Sequence, residues 1–462
     1  MSDSVSGVPA VPAVPARSSL FDALVAAGPV ASQVGDEAWV RAMLDVESAL
    51  AAAQADAGLL AWEHARSIAE ACRDHGAFDV TQLRAGVGGA GDPAAPLVRA
   101  LSERVGGEAA RFVHRGATGQ DVVDSAAMLV AARAREPLLA DVEHCTDALA
   151  ALARAHVGSM QVGRTLAQHA PPVTFGLTAA GWLTALDAAA DRVRALRFPV
   201  QLGGAVGTLA SFGEYGPDVV TSLAARLGLA EPVLPWHTDR TPVVDLAAAL
   251  GGLAAAVSAV AASIVVLAQT DVAELHEEGP PGSGGASTMP PTRNPLAAVS
   301  ARACAKQAPG LVADLLAAAE QENQRAAGAW HAEWWPLIQL WRVCGSAVHW
   351  LRESLRRLRV DEVRMRENLD AHGGLLLAER LTTELTPVVG RRAAHDAVSR
   401  ACRRAVADGV SLAEALDDDP AVTTHLSRER IQRLLDPVEY LGSASVFVER
   451  ALTAYGRSRR ER

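Results

Sequence analysis

Three polar segments interrupt a chain that otherwise reads as apolar helix, and each holds side chains suited to carboxylates and protons. The first, HRGATGQD, runs from His114 to Asp121. Its Thr118 and Asp121 have the spacing of a capping box, so helix initiation explains the pair as readily as ligand binding does. The second, GRTLAQHAPPVTFG, Gly163 to Gly176, crowds Arg164, Thr165, Gln168, His169 and Thr174 around two prolines. A lone histidine is usually a satisfied structural residue, yet one in so polar a cluster is equally suited to pass a proton near neutral pH. The third, GSGGASTMPPTRNP, Gly282 to Pro295, is glycine-rich and ends on Asn-Pro. Gly282, Gly284 and Gly285 permit positive φ angles and so a swinging lid, while Asn294 suits an N-cap and Pro295 the first helical position. A surface loop followed by a capped helix fits the same letters.

Long helices must position these segments. Half of the 462 residues are apolar and only 4 % are aromatic, so the apolar mass is Ala, Leu and Val, which favour close-packed helices. An all-α class is expected. Residues 1–19 read as an extended or disordered Pro/Ala-rich tail without the basic start and apolar core of a signal peptide. Short helices from Leu20 to about Phe112 make a first domain, 20–115. Long periodic segments follow in 116–358: one after Gly116 interrupted by Pro137, one from about Pro172 to Arg197, one from Asp245 to about Glu277, and two over 295–327 and 332–358. Shorter, more charged helices make a third domain, 359–462.

The Asp245–Glu277 run is long enough to cross a bilayer. Its small residues, its internal Asp245, Asp271 and Glu274, and its lack of a basic flank argue instead for a buried rod. A helix apolar on all faces must be covered on all faces, which implies a bundle shared between subunits. The net charge of −10 and the absence of a basic block argue against a nucleic-acid partner. The only lysine is Lys306, so cationic chemistry rests on arginine. Five cysteines without CxxC spacing suit a reducing cytoplasm. Trp330, Trp334 and Trp335 read as helix packing. His276, Glu277 and Glu278 read as a solvated helix end, because adjacent helical positions do not converge on one ion.

The three segments, in this order and spacing, resemble the signature regions of the aspartase/fumarase superfamily, nearest its 3-carboxy-cis,cis-muconate cycloisomerase branch. GRTLAQHAPPVTFGLTAAGWL, QLGGAVGTLASFG, LPWHTDR, WHAEW and LLDPVEYLGSA carry the likeness, which spans about Leu20 to Ala451. It implies a three-domain, all-α subunit in a homotetramer, with a central bundle of long helices completed by tetramerisation and active sites shared by three subunits. It implies neither metal nor organic cofactor, no membrane, and a small carboxylate substrate that loses a proton beside a carboxylate and then a group from the neighbouring carbon, or the reverse addition. By position, His114, Thr118, Thr165, Gln168, Gln269, Arg293, Asn294 and Arg325 would bind substrate, with His169 as acid or proton relay and Ser287 as a base. Such a site must aim donors at an enediolate-like dianion before reaction begins.

The chain also departs from the family pattern. Ala286 stands where the family's basic serine is usual, leaving Ser287 as its neighbour; Pro291 and Thr292 replace the usual His and Lys of the lid, and Gly119 replaces a serine. An alkoxide needs nearby positive charge, and the missing lysine removes one source. Three readings follow: a cycloisomerase; a lyase releasing fumarate from a substituted succinate such as nitrosuccinate, whose more acidic proton needs a weaker base; or a noncatalytic relative.

Overall fold

The computed structural model describes residues 20–279 and 294–461. Helices supply nearly all regular structure, and strands are confined, among the described residues, to two antiparallel pairs. The expected all-α class holds. The chain divides into two compact units, each discontinuous in sequence: residues 1–140, 191–255 and 303–349 form one, and 141–190, 256–302 and 350–462 form the other.

In the first unit the helix Asp36–Asp56 buries Val40, Met43, Leu44, Leu50 and Ala53 at the three- and four-residue spacing of one helical face. Leu50 and Ala53 join Val200, Leu202, Phe212, Val219 and Leu223 in one core. Gly116 belongs to this packing: its φ is +80° and a Cβ there would overlap the Phe212 ring, so the loop ahead of the helix Gly119–Ala155 needs glycine at that point. That helix continues through Pro137.

In the second unit the C-terminal helices enclose a core of Leu381, Leu385, Leu412, Leu416, Ile431 and Leu434. Ser411 and Glu414 form a reciprocal capping box at the start of Leu412–Asp417. Tyr455 Oη donates to Asp147 Oδ1 at 2.7 Å.

The second polar segment continues neither of the helices that flank it, Gly119–Ala155 and Phe175–Arg194. Met160–Thr165 and Gln168–Thr174 pair as an antiparallel hairpin, with Arg164 opposite His169 and Thr165 opposite Gln168. Pro171 and Pro172 lack N–H groups, but an isolated two-stranded ladder leaves outer edges where prolines are tolerated. The apolar rod also ends early: the helix stops at Leu267, and Leu275–Glu277 is a strand paired with Leu358–Val360. His276 and Glu277 are therefore strand residues and not a helix end. The stretch expected as one helix over 295–327 is two, Leu296–Ala305 and Ala308–Ala318, followed by irregular chain to Gly328. Trp330 is buried edge-to-face on Trp334, as packing requires, but Trp335 is 69 % exposed.

Candidate active site

Thr118 is the residue before the helix Gly119–Ala155, and only half of a capping box forms there. The Asp121 carboxylate accepts the Thr118 amide at 2.9 Å, while the Thr118 hydroxyl accepts from Arg325 Nη1 at 2.5 Å. Helix initiation thus accounts for Asp121, and the threonine hydroxyl turns to a cation. Asp121 is buried and further fixed by the amides of Gly203 and Gly204, both at 2.9 Å, and by His237 Nε2 at 2.7 Å. Arg325 Nε donates to Gln120 Oε1 at 3.3 Å, so the guanidinium is aimed by two acceptors.

The irregular chain that carries Arg325 is held by a buried charge network. Arg240 donates to Asp124 Oδ2 at 2.9 Å and to Glu333 Oε2 at 2.7 Å, and stacks on Trp236 with 4.8 Å to the ring centre. Trp330 Nε1 donates to Asp124 Oδ1, and Gln321 to Glu333 Oε1. Burial, joined by the Asp124 charge, raises the Glu333 pKa against the lowering effect of Arg240 and Gln321. For Arg240, burial works against the charge but the two carboxylates win, and its pKa stands above the ordinary value.

His114 Nδ1 lies 2.6 Å from Glu47 Oε1. Burial lowers its pKa, but the Glu47 bond and charge, with Asp121 and Asp92, outweigh that and leave it raised. Asp92 explains the glycine at 119. Its Oδ1 caps the helix Ala94–Val105 through the amides of Ala94 and Ala95, and its Oδ2 occupies the space a Cβ at Gly119 would need. A serine there would collide with this carboxylate.

In the second unit the hairpin turn presents Thr165, Gln168 and His169 together, all exposed. Leu166 and Ala167 form the turn with φ of 51° and 62°, left-handed geometry that costs a non-glycine residue about 1–2 kcal/mol. Glu274 anchors the hairpin: fully buried, it accepts from Arg164 at 2.6 and 3.1 Å, from Gln161 at 2.7 Å and from Asn368 at 2.8 Å. His169 Nδ1 meets His372 Nε2, ring centres 4.6 Å apart. Desolvation lowers the His169 pKa, and the charges of His372 and Arg164 lower it further. The imidazole is thus the neutral, proton-accepting form near pH 7.

Gln269 is exposed just beyond the helix Thr241–Leu267, where its carbonyl accepts the amides of Val272 and Ala273. Asn294 precedes the helix Leu296–Ala305, yet the amides of Ala297 and Ala298 are taken by the distant Glu277 carboxylate at 3.0 and 2.9 Å. Ser287 and Arg293 lie outside the described residues, as do Ala286, Pro291, Thr292 and the whole glycine-rich lid sequence up to residue 293. The expected site residues therefore group as His114, Thr118 and Arg325 in one unit and Thr165, Gln168, His169, Gln269 and Asn294 in the other. Glu47, Asp92 and His372 are partners that sequence reasoning did not single out, and Arg164 and Glu274, though noted there, were not read as a pair.

A largely helical fold with such polar, anion-donating segments between its helices is that of the helical lyases and cycloisomerases. The profile described as lyase matches residues 22–310, and that described as adenylosuccinate lyase C-terminus matches 374–451. The chain belongs to this lyase family of the aspartase/fumarase superfamily, and it is an enzyme of that lyase and cycloisomerase kind. It is 42 % identical over 448 residues to the nitrosuccinate lyase of Streptomyces davaonensis, covering 94 % of each chain. It is also 42 % identical over 448 residues to the 3-carboxy-cis,cis-muconate cycloisomerase of Pseudomonas aeruginosa, covering 96 % of this chain and 97 % of that one. The crystal structure of 3-carboxy-cis,cis-muconate lactonizing enzyme from Pseudomonas putida superposes with a TM-score of 0.90 at 39 % identity, covering 95 % of this chain and 99 % of that one.

Proposed function

We propose that the enzyme acts on a small di- or tricarboxylate, best represented by 3-carboxy-cis,cis-muconate, which it cyclises by adding a carboxylate oxygen across a carbon–carbon double bond. In the lyase direction a base removes the proton beside a carboxylate, the electron pair passes onto that carboxylate, and the neighbouring C–O bond breaks with its electrons on the departing oxygen. Thr118, Thr165, Gln168, Gln269, Asn294, Arg293 and Arg325 would hold the carboxylates and the dianion. Neutral His169 suits proton acceptance or relay, and Ser287 is the alternative base. The observation that carries this reading is a likeness to cycloisomerases that extends over nearly the whole chain, at about two-fifths identity in sequence and closely in fold.

The substitutions at Ala286 and Thr292, together with the nitrosuccinate lyase relative, favour a second reading. Nitrosuccinate would lose a proton from its methylene carbon, beside a carboxylate, while the C–N bond on the neighbouring carbon breaks with its electrons on the departing nitrite, leaving fumarate. Nitrite is a stable leaving group, so the C–N bond can break as the proton departs and a weaker base than an alkoxide suffices. Loss of ultraviolet absorbance from 3-carboxymuconate tests the first reading; release of nitrite and fumarate from nitrosuccinate tests the second. No turnover of 3-carboxymuconate at high enzyme concentration eliminates the first, and inactivity on both leaves the noncatalytic alternative.

We further propose a homotetramer with sites shared by three subunits, built from segments 20–115, 116–358 and 359–462, and located in the cytoplasm. The apolar helix supports assembly: its most hydrophobic window has a mean hydropathy of 2.3, yet only 44 % of it is buried within one chain. The remaining apolar surface calls for a cover. The five cysteines are all free thiols, which suits a reducing compartment.

A further inference from the structure

Glu47 lies on the helix Asp36–Asp56 among Val40, Met43, Leu44, Leu50 and Ala51, all buried. It is itself 1 % exposed, and an isolated carboxylate so placed must be paired or lose its charge. Its Oε1 meets His114 Nδ1 at 2.6 Å, while Oε2 has no hydrogen-bond partner among the described residues. The imidazole is thus the one counter-charge set against it among those residues. His114 reaches this place with a φ of 60°, a backbone conformation disfavoured for any residue but glycine. The charged groups acting on the ring include three anions: Glu47 from the helix Asp36–Asp56, Asp121 from the first turn of Gly119–Ala155, and Asp92 ahead of Ala94–Val105. The ring's other nitrogen, Nε2, has no hydrogen bond among the described residues.

We infer that Glu47 is a positioning residue that fixes His114 as an imidazolium, with Nδ1–H on the buried carboxylate and Nε2–H left to donate to an anionic group of the substrate. Two physical consequences follow from the geometry. A neutral ring donating from Nδ1 would present a lone pair at Nε2 and repel a carboxylate, whereas the imidazolium donates from both nitrogens. Because the folded pKa is raised above the ordinary 6.5, the donor persists below that raised value and is lost as pH climbs through it. Donation to substrate rests on the proposed carboxylate-binding role; the hold of Glu47 on the ring does not.

The full-length enzyme with ring-labelled histidine tests both parts, with His114→Gln used to assign the signal. In the wild type the His114 ring should still carry most of its charge at about pH 6.5, where a free histidine has lost half of its own. Glu47→Gln should lower its titration by about one unit, and at that pH fumarate binding should weaken about tenfold, with partial recovery in Glu47→Asp. A wild-type ring no more than half charged at that pH overturns the inference without need of any variant, as does an unchanged titration in folded Glu47→Gln. A charged, Glu47-dependent ring with fumarate affinity unmoved by His114→Gln overturns donation to substrate. Failure of fumarate to bind at all would instead strike the carboxylate-binding reading itself.

Discussion

His114 in one compact unit and His169 in the other carry the same ring in opposite surroundings. Around His114 stand Glu47, Asp121 and Asp92; burial is the largest single influence, but the Glu47 bond and the three negative charges together outweigh it. Around His169 stand His372 and Arg164, whose positive charges add to desolvation, while the nearby Glu274 opposes them more weakly because Arg164 already occupies it. The same side chain is thereby biased toward its charged form in one unit and toward its neutral form in the other. The polar cradles behind them differ as well. The Asp124–Arg240–Glu333 network is buried at every member, whereas the Arg164–Glu274 pair keeps its guanidinium at 20 % exposure.

The largest expected effect separates the cradles. Arg240→Ala takes the cation from two buried carboxylates, leaving Asp124 the uncharged donors Trp330, Gln120 and Gln201 and Glu333 the uncharged donor Gln321, and should cost about 3–5 kcal/mol of stability, read from denaturant or thermal unfolding. Arg164→Ala strands one carboxylate that keeps Gln161 and Asn368 as donors, so its cost should be clearly smaller. Equal losses would erase the distinction between the cradles.

Catalysis should show the two histidines as two limbs of the pH profile. For His169 the folded pKa lies below 6.5, so a proton-accepting ring becomes available, and kcat/KM rises, as pH increases through a value under 6.5. For His114 the folded pKa lies above 6.5, and kcat/KM falls as pH passes it. His372→Gln should move the rising limb part of the way back toward 6.5. Desolvation, the largest cause of the shift, remains in that variant, so a complete return or a downward move would sink the account. The falling limb should stay in place.

Much of this was legible in letters alone, and the losses have physical causes. Helical periodicity fixed the class, because Ala- and Leu-rich stretches with three- and four-residue repeats have few other ways to bury their apolar faces. The hairpin at Met160–Thr174 was hidden because two prolines and a turn of Leu166 and Ala167 violate the usual strand and turn preferences. Glu274 was hidden in the tail of an apolar run whose helix ends seven residues earlier. Glu47 was readable: a carboxylate on the stripe defined by Val40, Met43, Leu44 and Leu50 signals a buried partner. That its partner is His114, 67 residues away, belongs to tertiary structure.

Gly119→Ser sharpens the comparison at the acidic unit. The new Cβ must displace the Asp92 carboxylate from the start of the helix Gly119–Ala155, and overpacking of this kind costs about 1–3 kcal/mol. Asp92 also caps Ala94–Val105, so Asp92→Ala alone should cost about 1 kcal/mol. In the double variant the collision disappears and the costs should fall short of their sum. Strict additivity in unfolding experiments would mean the two positions do not share space.

The smallest effect lies at the hairpin turn of the other unit, and its sign is the informative part. Leu166 is 98 % exposed at φ 51°, so Leu166→Gly removes little packing within the chain and relieves about 1–2 kcal/mol of left-handed strain. Glycine's greater freedom in the unfolded chain takes back about 0.5–1 kcal/mol. The net should be a gain of less than about 1 kcal/mol, visible as a slightly higher Tm. A fall in Tm instead would mean that the side chain packs against another subunit in the assembled enzyme. The strained turn beside Thr165, Gln168 and His169 would then be held by the partner, whereas the acidic unit holds His114 through its own Glu47.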